Sequence, residues 1–217
     1  MEALVLIVVL IGSIVVHEVA HAWQARREGD DTAEKLGRIT LNPIPHLDPL
    51  GSFIVPALLY LSGSGIFFGW AKPVPVNPLN YREYVAGDIR VSMAGIVSNL
   101  ILAAMSTIAL AVVTKVDSLG GLPSPAAEFL FLTFEWGILI NLVLAFFNLL
   151  PIPPLDGSHV FAHILPGELA VRYRHLGQYG ILALMGIIYF VPGALSAALF
   201  PVYLLHGVAD WFVGLWI

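Results

Sequence analysis

The strongest constraint on this chain is the placement of His17-Glu18-Val19-Ala20-His21 at the end of an apolar run. No charged side chain occurs from Ala3 to Val16, and then two histidines and a carboxylate arrive together. Helix positions four apart lie on one face, so His17 and His21 can point at one metal ion. Glu18 follows the first of them directly, where a carboxylate can take a proton from water activated by that metal. Ionisable groups at membrane depth are costly and mark functional sites. The pattern implies a zinc hydrolase whose active site lies within a bilayer.

Composition agrees with the bilayer. Of 217 residues, 58% are hydrophobic and 12% charged, against about 25% charged in soluble domains. The expected class is an all-α polytopic membrane protein of about five or six membrane segments, one of them suited to a re-entrant path, with an extended loop near the active site. A net charge of −5 offers no basic surface, so no nucleic-acid partner is expected. There are no cysteines, which excludes disulfides and thiolate ligands and leaves His, Asp and Glu. Ala20-His21-Ala22 imitates a signal-peptide cleavage site, but Glu2 and the lack of an early Lys or Arg are wrong for export.

The chain divides into a metal-motif span at 3–24, a loop and short apolar segment within 25–88, spans at 89–114 and 127–150, a loop at 151–177, and a C-terminal hairpin at 178–217 broken near Pro192-Gly193. Together these make one transmembrane domain, 1–217, with no room for a PDZ or CBS module. The segment at 52–69 is short and holds Pro56, Gly63, Gly65 and Gly69. After it, Lys72-Pro-Val-Pro-Val-Asn-Pro78 forbids a helix and favours extended backbone. If 52–69 returns to the side it left, nine of the ten basic residues share one face and only Lys115 lies opposite. The positive-inside rule makes that face cytoplasmic. The same folding brings the 151–177 loop to the end of the first span that carries the histidines, and makes Asp156 the best third ligand. Prolines 151, 153 and 154 break the helix before it.

His17-Glu18-x-x-His21, with the later Asn148-x-x-Pro151-x-x-x-Leu155-Asp156-Gly157, resembles the site-2 protease family of intramembrane zinc metalloproteases. Gly37-Arg-Ile-Thr-Leu-Asn-Pro43, His46-Leu-Asp-Pro-Leu-Gly51 and Gly69-Trp-Ala-Lys-Pro-Val-Pro-Val-Asn77 resemble its short prokaryotic members. The resemblance implies one catalytic Zn2+ held by His17, His21 and Asp156, with Glu18 as general base. Asn148 would bind the substrate carbonyl or its oxyanion. It also implies regulated proteolysis of single-pass membrane proteins within the lipid bilayer of a prokaryotic cell, from a site open to the cytoplasm. One departure is Ile96 in Ala94-Gly95-Ile96-Val97-Ser98-Asn99, where the family commonly has proline; a straighter helix follows.

Other polar residues have blander readings. His46 suits a loop histidine bonding backbone. His159 and His163, spaced four apart, show no acidic neighbour in sequence and are expected to line their loop. Asn141 suits an interhelical hydrogen bond. Glu135, ~20 Å along a helix from Asn148, is expected near the far interface. Trp and Tyr at 70, 81, 84, 211 and 216 suit interfacial anchors. A metal-ion transporter would need further ligands through several spans, and only Glu18, Glu135, His206 and Asp210 are on offer. A catalytically inactive scaffold would have lost Glu18 or a ligand, and none is lost.

Overall fold

The computed structural model describes residues 1–61 and 69–216. Those residues form helices and connecting loops, with no strand among them. Three helices are long and apolar enough to cross a membrane: α1 (Glu2–Glu28), α4 (Tyr84–Ser118) and α5 (Ser124–Asn148). A short turn at 119–123 makes α4 and α5 antiparallel neighbours, and α1 packs against both.

Between α1 and α4 lie α2 (Thr32–Lys35), a wide π-type turn at Pro49–Ile54 and α3 (Val55–Leu61) that continues it. The remainder of the apolar segment 52–69, residues 62–68, lies outside the described residues. From Gly69 to Asn77 the backbone is non-helical, as its prolines require. The apolar stretch 178–217 divides into α8 (Gly180–Phe190), α9 (Ala194–Ala198) and α10 (Phe200–Gly214). Gly193, at φ +80°, makes the break between α8 and α9. Two short helices, α6 (Asp156–Ala162) and α7 (Gly167–His175), follow α5, and α6 packs on α4.

Small side chains let the spans approach. Ala103, Ala111, Ile138, Leu142, Val202 and Ala209 form the core between α4, α5 and α10. Such close contacts drive association where lipid and helix are equally apolar. A second cluster, of Ala22, Ala33 and Val74, pins the extended segment to the end of α1. Asp30, fully buried just beyond α1, fastens the same segment by accepting from Asn77 N at 2.7 Å and Asn80 Nδ2 at 2.8 Å. Burial alone would raise the Asp30 carboxyl, but the hydrogen bonds from Thr32, Asn77 and Asn80 outweigh it and hold it below its ordinary value.

Two expectations change here. Tyr81 is not an interfacial anchor; it is buried against Ala25, Val91 and the backbone of Gly87. Glu135 is not near the far end of its helix. α5 starts eleven residues before it, so it sits near the middle of the helix.

Candidate metal centre and active site

His17 and His21 lie one turn apart on the buried face of α1, turned toward α4. The His21 Nδ1 faces the Val91 carbonyl at 2.7 Å. A carbonyl only accepts, so Nδ1 carries a proton, and in the neutral tautomer that a metal requires Nε2 is left with a lone pair. His17 Nδ1 likewise donates to Asn99 Oδ1 at 2.6 Å. Asn99 is oriented by its own amide, which donates to Asn141 Oδ1 at 2.7 Å, while Asn141 donates to Ser13 Oγ at 2.9 Å. A buried polar chain through α5, α4 and α1 thus sets the direction of one imidazole.

The two bare nitrogens converge. His17 Nε2 and His21 Nε2 are 3.0 Å apart, and Asp156 Oδ2 lies 3.1 Å and 3.3 Å from them. That oxygen is buried and accepts no hydrogen bond. Three lone pairs facing one another without a shared proton repel, unless a cation sits among them. A tetrahedral zinc with bonds of about 2.0–2.2 Å separates its ligands by roughly 3.3–3.6 Å. The donor set and its spacing fit zinc.

Asp156 reaches this point because Pro151, Pro153 and Pro154 end α5 and the chain folds back to begin α6 at Asp156. The turn is tight: a Cβ on Gly157 would collide with the Leu149 carbonyl oxygen. Burial would raise the Asp156 carboxyl, and what holds it well below the usual carboxylate range is positive charge at the His21 and His17 nitrogens, carried by a proton there or by a cation in its place. It is an anion.

His159 and His163 do have an acidic partner, contrary to the sequence reading. Asp88, buried in the first turns of α4, lies 2.7 Å from His163 Nε2 and 3.4 Å from His159 Nδ1. The pairing raises the His159 pKa, chiefly through its hydrogen bond to Asp88. These three do not converge on one point as the first three do. They clamp α6, and with it Asp156, to α4. Asp88 is distant in sequence from both histidines, which is why no local pattern exposes it.

Glu18 points to the extended segment, where Val74 N–H donates to its Oε2 at 2.8 Å. Arg38 holds the neighbouring carbonyls of Lys72 and Pro73, and Lys72 N–H donates to the His46 carbonyl. His46 itself is buried and bonds the Thr40 carbonyl, so it is a backbone tie within the loop. Asn148 does not join the cluster in the same way. Its amide donates back to the Leu144 carbonyl at 2.9 Å.

Residues the sequence reading passed over complete the picture. α4 runs unbroken past Ile96, and Gly95 presses directly on the histidines. A Cβ there would lie 2.5 Å from His17 Cε1 and His21 Nε2. Asn99 lies one turn further on. Asn99→Ala is expected to leave His17 unoriented and to weaken zinc binding by about 10–100-fold, the usual cost of a lost outer partner. Zinc competition titration checks this, with Asn99→Asp expected to keep most of the affinity because it still accepts from Nδ1.

Sequence comparison agrees with the geometry. The model of peptidase family M50 matches residues 5–191. YwhC of Bacillus subtilis (strain 168), named as a zinc metalloprotease, is 38% identical over 198 residues, covering 90% of this chain and 84% of YwhC. Rip2 of Mycolicibacterium smegmatis (strain ATCC 700084 / mc(2)155), named likewise, is 30% identical over 174 residues, covering 78% of this chain and 61% of Rip2. No solved structure matches the chain. With a family match across most of its length and three helices able to span a bilayer, the chain belongs to peptidase family M50, the site-2 protease family, and is a membrane metalloprotease.

Proposed function

We propose that this protease is a zinc-dependent endopeptidase acting on single-pass, membrane-spanning substrates in regulated intramembrane proteolysis, as one transmembrane domain with its site open to the cytoplasmic side. The observation that carries the reading is the convergence of His17, His21 and Asp156 to within 3.0–3.3 Å on the buried face of a membrane-crossing helix. These three side chains would hold the zinc ion. When bound, zinc supplies a Lewis acid that polarises the scissile carbonyl and lowers the pKa of water to about 7.

The chain's own groups do the rest. Glu18 accepts the proton of the attacking water and returns it to the leaving amine. Val74 N–H steadies one Glu18 oxygen and leaves the other to carry the proton. Asn99 keeps His17 in the tautomer that presents Nε2. Asn148 donates to the developing oxyanion once its amide turns away from the Leu144 carbonyl.

A helical substrate must unwind before its peptide groups can be reached, and the extended segment after Gly69 offers it a surface. Its backbone chemistry limits the pairing. The N–H groups of Lys72 and Val74 are spent on His46 and Glu18, and Pro73 and Pro75 have none. The Lys72 and Pro73 carbonyls already accept from Arg38, so a substrate strand would pair there by donating to carbonyls further along, such as that of Val74.

In liposomes, the purified protein is expected to cut a single-pass helical peptide in or beside its apolar segment, with loss of cleavage on chelation and recovery on adding Zn2+. Cleavage of soluble peptides alone would refute the membrane-substrate reading. Orientation has its own measurement. In this cysteine-free chain, a thiol introduced at position 72 is expected to be shielded from an impermeant reagent outside intact cells, and one at 115 to react. Reaction at 72 would place the extended segment outside and end its proposed role beside the metal.

A further inference from the structure

A second group of metal-ligating side chains lies away from the catalytic centre. Glu135 in α5 and His206 and Asp210 in α10 place one donor atom each within 4.8 Å of one another. The build repeats that of the first site: two ligands four apart on one helix and a third from a neighbour. His206 Nε2 is 3.3 Å from Glu135 Oε1, and His206 Nδ1 is 3.1 Å from Asp210 Oδ2. The group is separate from His17 and His21. Glu135 lies six residues, or ~9 Å along α5, beyond the Asn141 that supports the catalytic histidines.

The surroundings make these three residues conspicuous. Asp210 is the sole acidic residue of α10 and His206 its sole histidine, and α5 carries Glu135 besides Glu128 near its start. Glu135 sits near the midpoint of a membrane-crossing helix. Its side chain is 48% exposed and that of Asp210 is 56% exposed, so both face outward rather than into the helix packing. Carboxylates so placed persist as anions only with a cationic partner and are otherwise protonated. A histidine shared by two ionised carboxylates supplies one positive charge and leaves one negative charge over. A divalent cation bound by two carboxylates and a neutral imidazole leaves none.

We propose that Glu135, His206 and Asp210 form a second divalent-cation site of the zinc type, outside the catalytic centre, that ties α10 to α5. One nitrogen and two carboxylate oxygens are a zinc-type donor set, which leaves a fourth position for water. Two openings flank the group and give that water room. One, of about 350 Å³, is lined by Leu110, Thr114, Glu135 and Asp210, and the other, of about 470 Å³, by Glu135, Tyr203, His206 and Asp210. Glu135 already stands at a zinc-ligand spacing from His206 Nε2, whereas Asp210 faces Nδ1 on the other side of the ring, so one carboxylate must swing round for both to share one nitrogen's ion. Exposed side chains can make that movement. The ion then joins a helix of only 15 residues to a full span, at a face where α10 otherwise holds by apolar packing.

The test is zinc stoichiometry of the full chain in detergent, by equilibrium dialysis and elemental analysis. Wild type is expected to bind two equivalents. His206→Ala and His21→Ala should each bind one, and the double variant none. Glu135→Gln and Asp210→Asn, which keep side-chain shape, should weaken one of the two equivalents at least about 10-fold and leave the other. Added Zn2+ should raise the Tm of His21→Ala and leave that of the double variant unchanged. A single equivalent, lost in His21→Ala and kept in His206→Ala, would overturn the proposal and reduce the group to an imidazolium clamp between two carboxylates. Two equivalents unaffected by His206→Ala, Glu135→Gln and Asp210→Asn would overturn it equally.

Discussion

Glu18→Gln is expected to lower proteolysis of a membrane-spanning substrate by about 10²–10⁴-fold while zinc content stays at the wild-type level. The amide has the size of the carboxylate and its oxygen still accepts from Val74 N–H, so the extended segment keeps its tie. It loses the ability to accept a proton. Because Glu18 is not one of the proposed donors His17, His21 and Asp156, none of their contacts changes. Turnover in liposomes beside elemental analysis separates the two quantities. Wild-type turnover would mean that another group takes the proton, and loss of metal would mean that Glu18 shapes the site rather than serving as its base.

Asp156→Ala is expected to weaken zinc binding by more than about 100-fold, beyond the range found for outer partners. The substitution removes the carboxylate of the set and leaves two imidazoles 3.0 Å apart. His17→Ala and His21→Ala should do the same. His159→Ala should have little effect, since His163 keeps the shorter contact to Asp88, at 2.7 Å, and α6 stays clamped. Zinc competition at neutral pH measures all four variants. Zinc affinity unchanged in Asp156→Ala would remove the third ligand and with it the proposed site.

The parts of the site legible in sequence are those written in short-range patterns. His17, Glu18 and His21 follow from helix period alone, because the 3.6-residue turn sets which residues share a face. The extended backbone near Lys72 follows from proline, which forbids the alternative. Asp156 is not set by a short-range pattern: its place follows from the side the basic loops share and from the resemblance of the Asn148-to-Gly157 stretch to a known family. The backbone role of His46 and the interhelical role of Asn141 were also readable, since both follow from what a lone polar group needs when buried.

Membership of a helical membrane protein, the histidine pair, its adjacent carboxylate and the non-helical segment after Gly69 were determined by the sequence itself. Each rests on hydropathy, helix period or proline, which act over a few residues. Tertiary structure alone decided that Asn99 orients His17, that Gly95 makes room for the imidazoles, that Asp88 clamps α6, and that Glu135 meets His206 and Asp210. Those partners are brought together by which faces of α1, α4, α5, α6 and α10 pack. Packing between spans is driven by small-residue contacts and buried hydrogen bonds spread over the whole helix surface. No single window of sequence carries that information, so the groups that aim and brace the metal ligands emerge only when the helices are placed side by side.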